Sequence, residues 1–227
     1  MWHFGIHICL PAGWENDWRA AVEAAMAPYR IDDTTGSGEW DHWSSSGDFW
    51  VRPNYVDDPF IVPSSQWPGD PTRCDGGPKR VLDLAGMSAA AVAEGRELWG
   101  AWRESVRRHP AARSLNELRS QYPDSRQARA AYDAQPLIRE VQARRRDEHD
   151  VLSRARMSGV DEVGYFGHDE QRFLDDRARA AVTTYALLTM DGRWLDVDQT
   201  PDYGFLALRY LERLPDDAFV IELDCHG

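Results

Sequence analysis

Hydrophobic and polar residues alternate at the two ends of the chain, over residues 2–10 and 219–226. Side chains two positions apart on a β-strand point to the same face, so each stretch predicts a strand with one buried face. The apolar faces consist of Phe4, Ile6, Ile8 and Leu10 in the first stretch and of Phe219, Ile221, Leu223 and Cys225 in the last. If the two strands are antiparallel neighbours, the opposite face carries His3, His7, Glu222, Asp224 and His226.

Other patterns predict the elements between these strands. Apolar residues at three- and four-residue spacing predict a helix ending near Pro28, with Trp14, Trp18, Ala21, Val22, Ala25 and Met26 on one side. Asp191-Gly192 between two β-rich runs is typical of a tight hairpin. A helix is expected over Tyr203 to Arg213, with Phe205, Leu206, Leu208 and Leu211 inward. A short strand is expected within residues 47–52, and residues 53–80, which are rich in proline, predict irregular chain.

Residues 88–157 have a different character, because alanine, leucine, arginine and glutamate dominate. Ser88 is a suitable N-cap, and Pro110, Pro123 and Pro136 divide the stretch into three or four helices. The order of elements predicts an α+β protein that resembles a ferredoxin-like antiparallel sheet with helices on one face. The core domain would comprise residues 1–87 and 158–227, and residues 88–157 would be a helical insertion.

Charge is distributed unevenly over the chain, whose net charge is -12. The predicted insertion has a net charge of +4 and the remainder has -16. An acidic surface disfavours direct nucleic-acid binding, because contact with the phosphate backbone needs positive charge. The arginine-rich stretch from Leu137 to Met157 is best interpreted as a solvated or partner-facing helix, with nucleic-acid contact by Arg144, Arg145 and Arg146 as the alternative.

Targeting signals are absent from the sequence pattern. No apolar run approaches the roughly 20 residues of a membrane span, and the N-terminus lacks the basic start and long apolar stretch of a signal peptide. No membrane association and a cytoplasmic location are the resulting expectations. The three cysteines form no CxxC pair, and Cys74 is interpreted as a lone thiol on a loop.

The polar face of the end strands is the first candidate site. Imidazoles and carboxylates together are good ligands for zinc, manganese or iron, and such a site could activate water. His3, His7, Glu222, Asp224 and His226 are therefore candidate ligands of a divalent metal. The alternative is a hydrogen-bonded polar face without a ligand, since solvent-facing positions of a sheet are polar in any case.

A tryptophan cluster is the second candidate. Indoles that line a cleft beside a few charged groups suit a planar ligand such as a nucleotide base. The predicted ligand-binding residues are Trp40, Asp41, Trp43, Trp50 and Arg52, with His42 beside them. The alternative is that these tryptophans pack in the core.

Several motifs together resemble an uncharacterised protein family of actinobacteria and their phages. They are the opening Trp-His-Phe-Gly-Ile-x-Ile-Cys-Leu-Pro-Ala, the closing Leu-Asp-Cys-His, the stretch from Tyr185 to Trp194, and Gly167-His168-Asp169-Glu170. Family members carry a Trp-Asp-Trp-aromatic stretch followed by Gly-Gly-Arg-Trp, which Trp40, Asp41, Trp43, Gly47 and Trp50 match. Asp48-Phe49 replaces Gly-Arg here, so this chain lacks that arginine. The resemblance implies a phage or mobile-element setting and no particular activity.

Three functions fit these observations. The first is a small binding or regulatory protein, with a tryptophan-lined cleft for a small molecule or a partner surface on the helical insertion. The second is a metal-dependent hydrolase that uses the His/carboxylate face. The third is an acidic inhibitor that competes for a nucleic-acid-binding host protein. The chain contains no Walker loop, dinucleotide-binding glycine motif, HExxH or nucleophile elbow.

Overall fold

The structure, a computed structural model, describes residues 2–14, 16–32, 34–155, 161–167 and 169–227. The chain divides into two compact units. The sheet unit comprises Met1–Ser88 and Arg179–Gly227, and the helical unit comprises Ala89–Ala178. None of the helices in the described ranges has the length and apolar character needed to cross a bilayer.

The described residues form an eight-stranded sheet and eight α-helices. The strands are β1 (His3–Leu10), β2 (His42–Ser45), β3 (Phe49–Trp50), β4 (Val62–Pro63), β5 (Arg73–Pro78), β6 (Ala186–Leu188), β7 (Trp194–Asp196) and β8 (Phe219–His226). The helices are α1 (Trp18–Met26), α2 (Leu84–Arg108), α3 (Leu115–Arg119), α4 (Ser125–Asp133), α5 (Pro136–Arg146), α6 (Glu162–Phe166), α7 (Glu170–Ala180) and α8 (Tyr203–Arg213). Short 3-10 turns occupy Ala27–Tyr29, Pro53–Tyr55, Lys79–Val81 and Val151–Arg154.

The first and last strands lie side by side at the centre of the sheet. β1 and β8 pair antiparallel along their full length, from His3 opposite His226 to Leu10 opposite Phe219. The predicted pairing of the two chain ends is therefore confirmed. The strand order is β3-β5-β8-β1-β6-β7, while β2 also pairs with β8 and β4 with β5. The pairing of β1 with β6 is parallel, and β6 and β7 form the predicted hairpin.

Each face of the sheet is covered by a helix. On one face, the apolar residues of β1 and β8 pack against Ala21, Val22 and Met26 of α1. On the other face, Cys9 and Val220 pack against α8. These two residues alternate with the apolar set, so they lie on the opposite side of the sheet.

The α+β class is thus confirmed, while the sheet differs from the predicted ferredoxin-like arrangement in two respects. It is mixed, because β1 and β6 run parallel, and its helices α1 and α8 lie on opposite faces. The physical reason is that the face of the sheet opposite α1 is apolar where Cys9 and Val220 lie. This part of the face is therefore buried beneath α8.

The prediction of irregular chain over residues 53–80 was wrong for β5, which pairs with β8. Its sequence, Arg-Cys-Asp-Gly-Gly-Pro, shows no alternation of apolar and polar residues. Close backbone packing explains the glycine at position 76, since a Cβ there would lie 2.7 Å from the Cα of Ile221. Because β5 packs closely through its backbone rather than through apolar side chains, its sequence has no hydrophobic pattern that would predict a strand.

The buried sides of helices α1 and α8 differ in part from the predicted ones. Trp14 precedes α1 and is exposed, whereas Ala21, Val22 and Met26 are buried as expected. The bounds of α8 agree with the prediction, but Phe205 and Leu206 are exposed. Tyr203, Ala207 and Leu211 face the sheet instead, at the spacing of four residues that brings side chains to one side of a helix.

The helical unit has its own core, in which Leu98 and Trp102 of α2 pack with Tyr132, Ile138 and other buried residues. The helices α2, α3, α4 and α5 are separated at the three predicted prolines. The predicted N-cap Ser88 lies one turn inside α2, because Asp83 provides the cap by accepting from the backbone N–H of Gly86 at 3.0 Å. The unit extends to Ala178, beyond the predicted boundary at 157, since α6 and α7 contribute Val163, Phe166, Phe173 and Leu174 to this core.

Candidate functional site

The pairing of β1 with β8 brings the five polar residues of the end strands onto one surface. In the register, His3 lies opposite His226, Gly5 opposite Asp224 and His7 opposite Glu222. Directly opposed residues of an antiparallel pair share a face. We name the set His3, His7, Glu222, Asp224 and His226 the histidine face.

Two histidines of this face are each held by a carboxylate. Nδ1 of His3 lies 3.1 Å from Oδ2 of Asp224, and Nδ1 of His226 lies 2.6 Å from Oδ1 of Asp41. The hydrogen bond with His226 lowers the pKa of the Asp41 carboxyl. A carboxylate that accepts from Nδ1–H selects the tautomer whose Nε2 carries the lone pair, so both imidazoles would present Nε2 as an acceptor when neutral.

The Nε2 atom of His226 is buried and has no hydrogen-bond partner within the described part of the chain. The His3 ring lies beside it, with ring centroids 5.2 Å apart and planes at 68°. A buried polar atom without a partner is uncommon in native proteins, and catalytic or ligand-binding roles are recognised reasons for one. This atom is therefore a candidate proton acceptor of the histidine face.

The middle of the face has no side chain, because Gly5 occupies it. Glu222 extends over Gly5, so a Cβ at this position would lie 3.7 Å from Oε1 of Glu222 and 3.2 Å from Cγ2 of Thr184. The other oxygen of Glu222, Oε2, lies 3.4 Å from Nε2 of His7. Glu222 and Thr184 thus border the space above Gly5 on this surface.

The two ends of the face differ in exposure. The His3 side chain is 64% exposed, whereas the whole of His7 is 2% exposed, with the Phe49 ring 5.0 Å from its own. The face is therefore accessible at the His3 end and closed at the His7 end. Sequence alternation predicted one polar face but gave no indication that Phe49 of β3 covers part of it.

Two contributors to this site were assigned elsewhere by sequence reasoning. Asp41 and His42 were placed beside the tryptophan cluster, but β2 pairs with β8 so that His42 lies opposite His226. His3, His226 and His42 consequently form a row across three neighbouring strands. The alternation of His42-Trp43-Ser44-Ser45, with Trp43 partly buried against the core, was the available signal for β2.

Asp75 is a further residue that sequence reasoning missed. It is fully buried, and its Oδ1 accepts hydrogen bonds from the backbone N–H groups of Gly47 and Ser65, both at 3.0 Å. It precedes Gly76, which lies opposite Ile221, next to Glu222 of the histidine face. Asp75 thus fixes the connection between β2 and β3 beside the site.

No group of three or more His, Cys, Asp or Glu side chains among the described residues is arranged to hold a metal ion together. The five residues predicted as metal ligands form separate pairs instead: His3 with Asp224, His7 with Glu222, and His226 with Asp41 from outside the set.

The indoles predicted to line a cleft lie in different surroundings. Trp40 is 3% exposed, and its Nε1 donates to the carbonyl oxygen of Met26 at 3.0 Å. Trp43 is partly buried against the same core, beside Trp18. Trp40 and Trp43 therefore pack in the core, which was the alternative to a ligand-binding cleft in the sequence analysis.

The remaining residues of the predicted cleft have partners of their own. The Arg73 guanidinium lies 5.3 Å from the Trp50 ring centroid. The Nε of Arg52 donates to the carbonyl oxygen of Leu82 at 3.0 Å. Asp41 is engaged by His226, so it lies beside the histidine face rather than in an indole cleft.

The other candidates have structural explanations where they are described. His168 lies outside the described residues, and Oδ1 of Asp169 accepts from the backbone N–H of Gln171 at 2.9 Å, as an N-cap does. Cys74 is buried in β5 rather than placed on a loop, and burial raises the pKa of its thiol to about 12. A thiol protonated at neutral pH is a poor nucleophile.

The resemblance to an actinobacterial and phage family remains a prediction from the motifs. No protein-family model, no curated protein and no solved structure matches this chain.

Proposed function

We propose that the protein is a hydrolase that uses the histidine face for acid–base catalysis, with His226 as the proton acceptor. The observation that supports this proposal is the imidazole of His226, which Asp41 holds through Nδ1 while Nε2 is buried without a partner. A general base is commonly a histidine oriented by a carboxylate. Asp41 is then a positioning residue that keeps the proton of the neutral His226 ring on Nδ1.

His3 is the proposed proton donor of the same reaction. Its ring lies beside that of His226, and Asp224 holds its Nδ1 in the same manner. In ester hydrolysis, a water oxygen would attack the carbonyl carbon while one water proton moves to Nε2 of His226. The C–O bond then breaks, and the leaving oxygen takes a proton from the protonated His3 imidazole. Proton exchange with solvent restores both rings.

The charge around the site favours an uncharged or cationic substrate. Asp41, Asp224 and Glu222 lie at the histidine face, and the chain outside residues 88–157 has a net charge of -16. Carboxylates near a reacting centre repel an anionic substrate. Neutral esters are therefore the first class to test.

The test compares hydrolysis of neutral p-nitrophenyl acetate with that of anionic p-nitrophenyl phosphate by the full chain. We expect hydrolysis of the ester only, and a loss of about 100-fold or more in His226→Gln, the usual contribution of a general base. His149→Gln is the matched control, because His149 is exposed in the helical unit. Equal rates in the His226→Gln and His149→Gln variants would exclude the proposed role.

A divalent metal site is a second candidate, which would require the side chains of His3, His226 and His42 to turn toward one another, because the described side chains form no such group as they stand. Metal-bound histidines commonly donate their other ring nitrogen to a carboxylate, as Asp224 and Asp41 permit. Two imidazoles bound through Nε2 to one tetrahedral zinc would have ring centroids roughly 5 Å apart. The centroids of His3 and His226 are 5.2 Å apart.

His42 distinguishes the two candidates. If zinc binds the row, zinc added to chelator-treated protein should raise the melting temperature, and His42→Gln and His226→Gln should both remove that shift. If the acid–base proposal is correct, the chelator-treated protein keeps its esterase activity and His42→Gln leaves it unchanged. Activity that requires both zinc and His42 would replace the first candidate with the second.

A further inference from the structure

A cavity of about 420 Å³ lies within the helical unit, at α4, α5, α6 and the 3-10 turn Val151–Arg154. Its volume is in the range of small-molecule sites, which enclose about 300 to 1,000 Å³. The residues that line it are all polar, and five of the seven are charged: Arg129, Asp133, Gln142, Arg145, Arg146, Ser153 and Glu162. A polar ligand would suit a lining of this kind.

The two acidic residues of the cavity are already engaged by the protein. Asp133 accepts hydrogen bonds from Nε of Arg129 at 2.9 Å and from Nε2 of Gln142 at 3.0 Å. Glu162, which is 1% exposed, accepts from the hydroxyl of Tyr132 at 2.7 Å and from Arg145 at 3.3 Å. Their negative charge is therefore compensated within the lining.

The three guanidinium groups outnumber these carboxylates, so the lining carries a net charge of +1 in a chain of net charge -12. Arg146 ends α5 and is exposed, and its guanidinium group makes no hydrogen bond or ion pair with the residues that the structure describes. Its neighbour Arg144 differs, because Asp150 holds that side chain at 2.7 Å and 3.3 Å. The charge of Arg146 is thus available at the cavity.

We propose that this cavity binds a small phosphate monoester, with Arg146 as the principal anion-binding residue. A guanidinium group presents a planar fork of N–H donors that matches two oxygens of a phosphate. The Nε2 of Gln142 already donates to Asp133 and the hydroxyl of Ser153 to the carbonyl oxygen of Asp150, so these two residues can offer acceptor oxygens to the rest of the ligand. This site is separate from the histidine face, and neither proposal depends on the other.

The test is isothermal titration of the full chain at constant ionic strength with inorganic phosphate, adenosine monophosphate, adenosine and acetate. We expect saturable binding of the two phosphates and none of adenosine or acetate. Arg146→Gln should weaken phosphate binding about tenfold, the usual effect of losing a hydrogen bond to a charged group. Arg146→Lys should weaken it less, because lysine keeps the charge but lacks the fork.

Arg139→Gln is the matched control, since Arg139 is an exposed residue of the same helix that does not line the cavity. It should bind phosphate like the unmodified chain. The proposal is wrong if neither phosphate binds, if acetate or adenosine binds equally well, or if the variants at 146 and 139 have the same affinity. Circular dichroism of each variant would verify that the helices are intact.

Discussion

Nδ1 of His226 lies 2.6 Å from Oδ1 of Asp41, although the two residues are 185 positions apart in the sequence. The contact joins the last strand to the start of β2 and orients the imidazole whose Nε2 has no partner in the described chain. Replacing Asp41 by asparagine should therefore change the tautomer of His226. Long-range ¹H–¹⁵N spectra at neutral pH should show the proton on Nδ1 in the unmodified protein, and a proton on Nε2 there would contradict the proposed role.

The same contact predicts a pH dependence of stability. The hydrogen bond with His226 lowers the pKa of Asp41, so folding favours its ionised form. This stabilisation is present above the pKa of an unfolded aspartate, about 3.9, and is lost as the pH falls through the lower folded value. The unmodified protein should melt at a higher temperature than Asp41→Asn near neutral pH, and the difference should disappear in strong acid. Asp57→Asn, at an exposed position of the sheet unit, should show no such difference.

Gly76 should not tolerate a side chain. A Cβ there would lie 2.7 Å from the Cα of Ile221 and would also meet the carbonyl oxygen of Val220, both backbone atoms of β8. We expect Gly76→Ala to lower the free energy of unfolding by about 3 kcal/mol or more, measured by urea denaturation.

Gly100→Ala is the matched control, because a Cβ at this position of α2 would meet no atom within 4 Å. It should stabilise the protein by about 0.5 to 1 kcal/mol through helix propensity. Similar stabilities of the two variants would contradict the close approach of β5 and β8.

The cysteines should be unreactive in the folded protein. Cys9, Cys74 and Cys225 are free and buried, and burial raises the pKa of each thiol, to about 12 for Cys74 and Cys225. The thiolate is the reacting form, so a disulfide reagent at mildly alkaline pH should label the native protein slowly and the urea-unfolded protein fully. Rapid labelling of any cysteine under native conditions would contradict this burial.

Tyr132 should contribute to the stability of the helical unit. Its hydroxyl donates to the buried Glu162 at 2.7 Å and accepts from the backbone N–H of Val163 at 3.3 Å. Tyr132→Phe removes one hydrogen-bond partner from the Glu162 carboxylate and one from the backbone N–H of Val163. It should therefore lower the free energy of unfolding by about 1 to 3 kcal/mol. Tyr122→Phe changes a more exposed tyrosine and should have an effect below about 0.5 kcal/mol. Equal effects in urea denaturation would show that the Glu162 contact contributes nothing.

Regular patterns in the sequence predicted the elements that carry them. Alternation identified β1 and β8, Asp191-Gly192 identified the β6–β7 hairpin, and helical spacing identified α8. β5 was missed because Asp75, Gly76 and Gly77 have no hydrophobic periodicity, and β2 because it is only four residues long. The prediction for the buried side of α8 was wrong because it relied on hydrophobicity, which favoured Phe205 and Leu206. In the structure Tyr203 and Ala207 pack against the sheet instead.

The sequence alone determined that the end strands place imidazoles and carboxylates on one face, because the period of two is a local property of the extended backbone. Only the tertiary structure decided which of these groups contact one another. Asp41 meets His226, and Phe49 covers His7, through strand pairings between distant parts of the chain. Local periodicity carries no information about such pairings, because they depend on which strand edges meet when the whole sheet assembles.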